Sequence, residues 1–290
     1  MSIAEPLAKA DQQCDMRAML RPDIDAVGRL LKEVADEHIM PRWKNLAPGD
    51  IATKSGPMDL VTVADRETEA ALAARLTARY PSSRLIGEET FASDPDCLAV
   101  LDGGAPVWIS DPIDGTRAFT RGDPGFASML VLVEARQPVA AWIYQPVTGD
   151  LYCGERGGGV WHVAADGTRC RLHPAAPTSP GQLIGIASGN LEIDGQRIYR
   201  SQRADRFAAL KDMWCPGIDY PKVLTGEAHF TVYAKCLPWD HLPGIMMMRE
   251  VGWVDQRLDR TPYGVTDLAG GLMCAPSRDA LETIRQRLTR

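Results

Sequence analysis

The stretch 107-VWISDPIDGTRAF-119 decides the fold prediction, because a strand-like run ends directly in acidic residues. Its first four residues are mostly apolar and suit a buried strand, and the carboxylates of Asp111 and Asp114 follow at once. Gly115 permits a tight turn, and the N–H groups of Gly115 and Thr116 would begin the next helix. We therefore expect two carboxylates beside backbone N–H donors at the exposed edge of a sheet.

Two interpretations of these acids follow from the residues alone. Oxygen ligands suit Mg²⁺ or Mn²⁺, and Mg²⁺ is usually held by a few carboxylates while phosphate and water complete an octahedron. The alternative is an Asp-Pro turn with a helix cap at Asp114, which explains most isolated pairs of this kind. The motif by itself does not decide between them.

The composition of the 290-residue chain indicates a globular protein. Hydrophobic residues make up 45% of the chain, which is enough for one large domain or two closely packed ones. The 32 basic and 38 acidic side chains give a formal net charge of -6, so the chain has no general attraction for a nucleic acid polymer or an anionic membrane. An anionic substrate must then be bound locally, by a metal ion or by backbone N–H groups.

The cysteine pattern and the lack of long apolar runs indicate the compartment. The seven cysteines are far apart and form no C-x-x-C pair, so the sequence predicts neither a disulfide framework nor a zinc site. The N-terminal segment lacks the apolar core of a signal peptide, and no run approaches the roughly 20 apolar residues of a membrane span. We expect a soluble, cytoplasmic protein.

The spacing of apolar residues predicts a mixed α/β chain. Helical spacing predicts helices over 22–40 and 66–79. The predicted strands of the first half are 85–86, 107–110, 126–134, 139–145 and 150–155, the last three as an antiparallel meander. The second half alternates between strands and helices, which indicates a mixed or parallel sheet. Its predicted elements are strands at 183–187, 229–234 and 271–274, and helices at 217–226, 240–250 and 277–289. We place the division between the two halves at residue 149, giving 1–149 and 150–290.

Four motifs occur in order over most of the chain: 58-MDLVTVADRETE-69, 86-IGEE-89, 111-DPIDGT-116 and 239-WD-240. Together they resemble the inositol monophosphatase family of Mg²⁺-dependent phosphatases, and the six-residue motif with both flanking motifs is a specific signal. The resemblance implies a layered αβαβα sandwich of the inositol monophosphatase and fructose-1,6-bisphosphatase type. It implies an α+β N-terminal half with most metal ligands and an α/β C-terminal half that completes the site. It also implies a homodimer.

The resemblance further implies a metal site with two or three ions. One Mg²⁺ would bind Glu88, Asp111 and the backbone carbonyl of Ile113. A second would bind Asp111, Asp114 and Asp240, and a third, looser ion would attach to Glu88 through water. Charge considerations agree, because four carboxylates in one pocket would repel one another unless cations neutralised them. Two divalent ions would bring their charge to about zero, with Mn²⁺ as an alternative to Mg²⁺.

The resemblance also implies catalytic roles. Asp65 and Thr116 match the family pair that orients and activates the attacking water, as two residues joined by a hydrogen bond. Glu88 is the expected proton acceptor, and the sequence leaves open whether it or Thr116 dominates. Lys54 falls in the family's mobile loop near the metal site. Out of context, Asp65 could simply cap a helix with an acidic first turn.

The expected substrate contacts depart from those of inositol phosphatases. Gly115, Thr116 and Asp240 are expected to contact the substrate. Family members that hydrolyse inositol phosphates place a glutamate seven residues before the aspartate of the W-D motif, and Tyr233 occupies that position here. A tyrosine offers one hydroxyl and a stacking face instead of a charged acceptor. Asp219 also replaces a small residue in the segment that usually contacts the sugar. We therefore expect the part of the cavity wall that selects the substrate to differ from that of inositol phosphatases.

Neighbouring residues have less specific interpretations. Trp239 is expected to brace the adjacent aspartate, and the methionines at 246–248 are expected to fill the core. His241 is expected to face solvent or to support the site from outside the ligand set. Arg117 and Arg121 could face the leaving group, although an exposed arginine is the commoner outcome.

The sequence therefore predicts a phosphatase that hydrolyses a small phosphate monoester by direct attack of metal-activated water. The alternatives among enzymes are histidinol phosphatase, fructose-1,6-bisphosphatase and 3′(2′),5′-bisphosphate nucleotidase. The alternative from another class is a non-catalytic regulator that binds a metal or a ligand on the same fold. The intact acid set argues against that regulator, because a binding module would not need Asp65 together with Thr116.

Overall fold

The computed structural model describes residues 20–53 and 60–290. Lys54, the expected mobile-loop residue, lies outside them. The α-helices are α1 (Ile24–Val34), α2 (Val63–Arg79), α3 (Glu88–Ser93), α4 (Thr116–Arg121), α5 (Pro216–Leu224), α6 (Pro238–Glu250) and α7 (Arg278–Thr289). Helix α1 runs on into a π-helical turn, Ala35–Ile39, and short 3₁₀ segments occupy Pro48–Asp50, Pro95–Asp102, Pro180–Gln182, Arg200–Gln202 and Ala204–Arg206. No helix in the described parts of the chain is long and apolar enough to cross a membrane.

The five longest helices confirm the predicted ones, with shifted ends. Helix α1 begins after Asp23, whose carboxylate accepts a hydrogen bond from the Ala26 N–H at 2.9 Å. Helix α2 begins three residues before the predicted start, and α5 and α6 each begin at a proline. Pro216 and Pro238 fit there because the first turn of a helix needs no N–H donor from that position.

The first sheet lies in the N-terminal part of the chain, next to a small hairpin of β1 (Ile51–Thr53) and β2 (Leu60–Thr62). In spatial order its strands are β3 (Arg84–Gly87), β4 (Val107–Asp114), β5 (Ala127–Glu134), β6 (Gln137–Gln145), β7 (Asp150–Glu155), β8 (Gly159–Val163) and β9 (Arg169–Arg171). Strands β3 and β4 are parallel, and all other neighbours are antiparallel. The predicted meander of β5, β6 and β7 is therefore confirmed.

The first sheet continues past residue 149, where the sequence places the division between its halves. Strands β7, β8 and β9 pair within this sheet as far as Arg171, and the second sheet begins at Ile184. We therefore propose that the division lies in the segment that joins Arg171 to Ile184, so that the first unit keeps its whole sheet.

The second sheet is mixed, as predicted. Its strands are β10 (Ile184–Ala187), β13 (Ala209–Asp212), β14 (Phe230–Tyr233), β15 (Val254–Arg257) and β16 (Leu272–Ala275), in the spatial order β13-β10-β14-β16-β15. Strand β10 is parallel to both of its neighbours, whereas β16 is antiparallel to both of its own. A separate hairpin of β11 (Asn190–Ile193) and β12 (Gln196–Tyr199) follows β10.

Three helical layers enclose the two sheets and give the expected αβαβα order. Helices α1 and α2 cover one face of the first sheet, packing against residues such as Trp108, Leu132 and Trp142. Helices α5 and α6 fill the space between the sheets, and α7 covers the outer face of the second sheet. Because α6 is enclosed by both sheets, apolar side chains surround it. The methionines at 246–248 are all buried in this layer, as predicted.

Candidate metal and substrate site

The parallel pairing of β3 and β4 brings two acids to one sheet edge. Gly87, the last residue of β3, pairs with Ser110, so Glu88 at the start of α3 and Asp111 on β4 are the next residues on the two neighbouring chain segments. Gly87 is needed at this point, because a Cβ there would lie 2.3 Å from Glu69 Oε2 and 2.8 Å from Ser110 Oγ. The end of a buried strand thus supplies the carboxylate that the quoted stretch predicts.

A β-bulge shapes the acidic end of β4. Asp111 pairs with Met129 and Asp114 with Ala127, so three steps along β4 oppose two steps along β5. The Ile113 N–H inside this bulge donates a hydrogen bond to Asp111 Oδ1 at 3.0 Å. The bulge turns the chain so that both aspartates and Ile113 line the same cavity.

Gly115 then redirects the chain into α4, as predicted. Its φ of 88° lies in the left-handed region, which glycine adopts without strain. The Thr116 hydroxyl donates to the Ile113 carbonyl at 2.9 Å. The expected bond between Thr116 and Asp65 does not occur among the described residues.

The second half of the chain supplies the last acid. Asp240 lies in the first turn of α6, and one oxygen each of Glu88, Asp111 and Asp240 lies within 4.8 Å of the other two. Residues more than 120 positions apart in sequence therefore meet in one group, which is the convergence that the motifs predict. Asp114, the fourth expected acid, lines the same cavity.

Burial and like charge make this acidic group costly without a cation. Burial, together with the charge of Glu88, raises the pKa of Asp111 well above its usual value, and burial with the charge of Asp114 does the same for Asp240. Burial raises the pKa of Asp114 to about 7. A divalent cation would offset this repulsion, and a ligand set of carboxylate oxygens suits a hard ion such as Mg²⁺. The residues present therefore fit the expected metal.

Asp65 lies behind the cavity and does not line it. Its Oδ2 accepts hydrogen bonds from the Thr62 N–H at 2.7 Å and from the Thr62 hydroxyl at 2.6 Å, in a capping box at the start of α2. Burial raises the pKa of Asp65 to about 7, and the nearby charges of Glu88 and Glu89 add to the shift. The contacts of Asp65 are therefore those of a helix cap. Its carboxylate is also close enough to Glu88 for their charges to interact.

Glu69 is a supporting residue that the sequence does not single out. Its buried carboxylate accepts hydrogen bonds from the Glu89 N–H at 2.9 Å, the Thr90 N–H at 2.8 Å and the Thr90 hydroxyl. These donors form the first turn of α3, where Glu88 is located. The available signal is the acid that ends the motif 58-MDLVTVADRETE-69, four residues beyond Asp65.

The acids open onto a cavity of about 430 Å³, a size suited to a small molecule. Arg117 and Arg121 both line it, in agreement with the interpretation that they could face a leaving group. The other lining residues are Leu60, Glu88, Asp111, Ile113, Asp114, Gly115, Thr116, Ala118, Asp123, Met213, Trp214, Lys235, Leu237, Trp239 and Asp240. Met213, Trp214 and Lys235 are additions that the sequence does not predict.

Two expected substrate contacts lie outside the cavity lining. Tyr233 is 1% exposed, because the central strand β14 turns this side chain into the layer between the sheets, where its ring centroid lies 4.6 Å from that of His241. Asp219 is fully buried, and its Oδ2 accepts a hydrogen bond from the Trp214 N–H at 2.9 Å. The prediction that these two side chains meet the substrate is corrected accordingly.

The residues flanking Asp240 have structural contacts. Trp239 is buried and packs on Phe91 with ring centroids 4.9 Å apart, which agrees with the expected bracing role. His241 does not face solvent; it is 2% exposed, and its Nδ1 lies 3.1 Å from the Tyr220 hydroxyl. Burial lowers the pKa of His241 to about 3, so the imidazole is neutral.

Known proteins match this chain over most of its length. The chain is 28% identical over 216 residues to the inositol-1-monophosphatase of Bacillus subtilis (strain 168). The aligned region covers 73% of this chain and 78% of that protein. It is 25% identical over 224 residues to the fructose-1,6-bisphosphatase/inositol-1-monophosphatase of Thermotoga maritima, covering 77% and 80%. A solved inositol monophosphatase/NADP phosphatase, complexed with Mg²⁺ and phosphate, has a similar fold. Its TM-score is 0.72 at 18% identity, with coverage of 91% of this chain and 94% of that one.

A family model matches most of the chain. The model of the inositol monophosphatase family aligns with residues 20–289, which includes every acid of the metal group and both sheets. Relatives named as phosphatases, the layered fold and this match agree with one another. The chain therefore belongs to the inositol monophosphatase family and is a phosphoric monoester hydrolase.

Proposed function

We propose that the protein is a Mg²⁺-dependent phosphatase that hydrolyses a small phosphate monoester in the cavity at the end of β4. The observation that carries the proposal is the group of Glu88, Asp111 and Asp240, whose oxygens lie within 4.8 Å of one another on the cavity wall. Asp111 is buried and the other two are partly buried, and acids gathered in this way carry a repulsion that divalent cations relieve.

In this proposal, two sets of ligands share one aspartate. Glu88, Asp111 and the Ile113 carbonyl would hold one ion, and Asp111, Asp114 and Asp240 would hold a second, with a third, looser ion near Glu88. The Ile113 carbonyl already accepts the Thr116 hydroxyl, but a carbonyl oxygen has two lone pairs and can serve both. The bound ions would supply the positive charge that activates water and stabilises the leaving alkoxide.

Thr116 and Glu88 are the residues that we assign to the attacking water. The Thr116 hydroxyl uses its proton in the bond to Ile113, which leaves its oxygen lone pairs free to accept a hydrogen bond from water in the cavity. Glu88 lines the same cavity and would accept the proton that this water releases. Asp65 would act as a positioning residue, through its charge near Glu88.

The cavity also carries positive charge that suits an anionic substrate. Arg117, Arg121 and Lys235 line it, and within the described chain none of the three forms an ion pair. Lys235 is close enough to Asp240 to lower the pKa of that carboxyl, against the stronger effect of burial. With the backbone of Gly115 and Thr116 and the side chain of Asp240, these cations would position the phosphate ester.

A panel of substrates tests the proposal directly. Phosphate release would be measured from inositol, sugar, histidinol and nucleotide monophosphates and from fructose 1,6-bisphosphate, with Mg²⁺ and with a chelator. We expect turnover of at least one ester with Mg²⁺ and none after chelation. Turnover that survives chelation would disprove the metal dependence, and a complete lack of turnover would favour a binding protein.

Substitutions in the acidic group test the assignment of the ligands. Asp111→Asn and Asp240→Asn should each lower kcat by about 100-fold or more, since even the partners of metal ligands commonly contribute about 10- to 100-fold. Calorimetry should show weaker Mg²⁺ binding with an unchanged circular dichroism spectrum. Glu192→Gln, at an exposed acid on β11, is the matched control. Normal Mg²⁺ binding by Asp240→Asn would remove that residue from the ligand set.

The homodimer and the cytoplasmic location remain predictions from the sequence. Sedimentation equilibrium on the purified chain would give its mass, and a monomer across the micromolar range would contradict the dimer. Fractionation of the source cells would test the location.

A further inference from the structure

Trp214 is an exposed aromatic residue on the wall of the cavity. It is 53% exposed, more than the other large hydrophobic residues on the described surface, which are Ile51, Tyr199 and Leu268. It lines the cavity next to Met213, on the segment that leads into α5. Because it lines the cavity, the exposed indole can contact a bound ligand with its aromatic face.

Hydrogen bonds hold Trp214 at both its backbone and its ring. The Trp214 N–H donates to the buried carboxylate of Asp219, which also lies 3.5 Å from Lys222 Nζ. The indole Nε1–H donates to the Gly125 carbonyl. Gly125 allows this close approach, because a Cβ there would lie 2.2 Å from the Trp214 Nε1. The ring is thus fixed before a ligand arrives, so binding to it costs little side-chain entropy.

The wall around Trp214 has few acceptors for the hydroxyls of a polyol. Tyr233 and Asp219, the groups expected to meet such hydroxyls, are buried away from the cavity. Beyond the metal group, Asp123 is the one carboxylate among the described lining residues. Apart from the Thr116 hydroxyl, the other described side chains that line the cavity are apolar or cationic. Such a wall favours a flat ring over a ring covered with hydroxyls.

We propose that Trp214 is a specificity-determining residue that selects phosphate monoesters whose leaving group carries a planar ring, as a nucleoside does. The inference rests on the proposed phosphatase activity at the same cavity. Stacking of a planar base on one aromatic side chain changes affinity by about 5- to 150-fold when that side chain is truncated to alanine. The selectivity should therefore appear in KM for esters that contain the ring.

Matched substrates and variants test the inference. The adenosine 2′-, 3′- and 5′-monophosphates would be compared with ribose 5-phosphate and inositol 1-phosphate in the presence of Mg²⁺. Trp214→Ala should raise KM for the adenosine esters by about fivefold or more and leave the non-planar esters within about twofold. Trp214→Phe should retain most of the preference, because it keeps an aromatic face. Tyr199→Ala, at an exposed aromatic outside the cavity lining, should change nothing.

Three results would overturn the inference. If Trp214→Ala raised KM equally for planar and non-planar esters, Trp214 would maintain the structure of the cavity and would not select the ring. An unchanged preference for adenosine esters would remove it from recognition, and a changed oligomeric state with that preference intact would assign it to a subunit contact. The variant keeps the backbone N–H that binds Asp219, and its unfolding midpoint would separate a folding defect from a loss of recognition.

A binding measurement separates this inference from the proposed function. Calorimetric titration with adenosine 5′-monophosphate and with ribose 5-phosphate needs no turnover. Tighter binding of the adenosine ester by the wild type, lost in Trp214→Ala, would uphold the inference even where no phosphate is released, and the phosphatase proposal alone would fail. Equal affinities in the wild type, with turnover of other esters, would overturn the inference and leave the phosphatase proposal standing.

Discussion

Gly217 donates its backbone N–H to Asp114 Oδ2 and so joins the start of α5 to the acidic end of β4, across 103 residues of sequence. The contact places a backbone donor from the middle helical layer on one of the four carboxylates. It also lowers the pKa of Asp114, against the larger effect of burial. The second half of the chain therefore shapes the site at α5 as well as at Asp240.

Gly217→Ala should damage both the fold and the site. A Cβ at this position would lie 2.5 Å from the Ala127 Cβ and 3.0 Å from Asp114 Oδ2, so α5 must shift. We expect a loss of about 1–3 kcal/mol in the free energy of unfolding, the usual cost of overpacking, together with weaker Mg²⁺ binding. Urea unfolding and calorimetry would measure the two effects. Gly181→Ala is the control, because nothing lies within 4 Å of its added Cβ.

Glu69→Ala should weaken metal binding without touching a ligand. The substitution leaves the Glu89 N–H, the Thr90 N–H and the Thr90 hydroxyl without their acceptor, which loosens the first turn of α3. These donors are partly buried, so each lost partner should cost at most the roughly 1–3 kcal/mol of a fully buried donor. Calorimetry should show a higher Kd for Mg²⁺. If the Kd matched that of the exposed-surface variant Glu192→Ala, α3 would not depend on Glu69 to place Glu88.

The metal-free protein should lose stability as the pH rises. Burial raises the pKa of Asp65 and of Asp114 from 3.8 to about 7, so the folded state binds protons that the unfolded chain releases. Their contribution is complete below about pH 4 and is lost as the pH rises to about 7. Urea unfolding with a chelator should therefore give a lower free energy of unfolding at about pH 7.5 than at about pH 5.

Mg²⁺ and one substitution provide the controls for this pH dependence. Added Mg²⁺ should restore more stability at the higher pH, where the ion no longer competes with protons for the carboxylates. Asp114→Asn should show a shallower decline, because one of the titrating groups is gone while the side-chain oxygen can still accept the Gly217 N–H. Stability that rises with pH over this window in the metal-free wild type would contradict the prediction.

Arg121→Ala should weaken the capture of an anionic substrate. Arg121 lines the cavity, is exposed, and has no ion pair within the described residues. Its removal should raise KM by about two- to tenfold at low ionic strength and by less at high salt, because exposed charges are screened. Steady-state kinetics at two salt concentrations would measure this. Lys211→Ala, an exposed cation on β13 away from the cavity, should leave KM unchanged.

Much of the architecture could be predicted because it depends on local patterns. The continuous apolar runs of β5 and β6, the helical spacing of α1 and the turn at Gly115 all encode structure within a few residues. The convergence of Glu88, Asp111 and Asp240 was predictable only through the resemblance, since no local pattern states which distant strand ends meet.

The side chains that line the cavity around the substrate could not be predicted either, because no local pattern states how they are oriented in the folded chain. The resemblance predicts Tyr233 on the cavity wall from its distance to Asp240 in sequence, but the direction of its side chain depends on how β14 packs between the sheets. Trp214 gave no signal in the sequence, because its exposure depends on the Asp219 and Gly125 contacts that hold it. Contacts of this kind exist only in the folded chain.

The position of α6 between the two sheets has a consequence for biosynthesis. Glu88 and Asp111 leave the ribosome long before Asp240, which belongs to the helix that packs between the two sheets. A nascent chain therefore offers an incomplete ligand set, and tight loading of the cation must wait until translation has passed this helix. Loading with Mg²⁺ would then act as a final maturation step for the newly made enzyme.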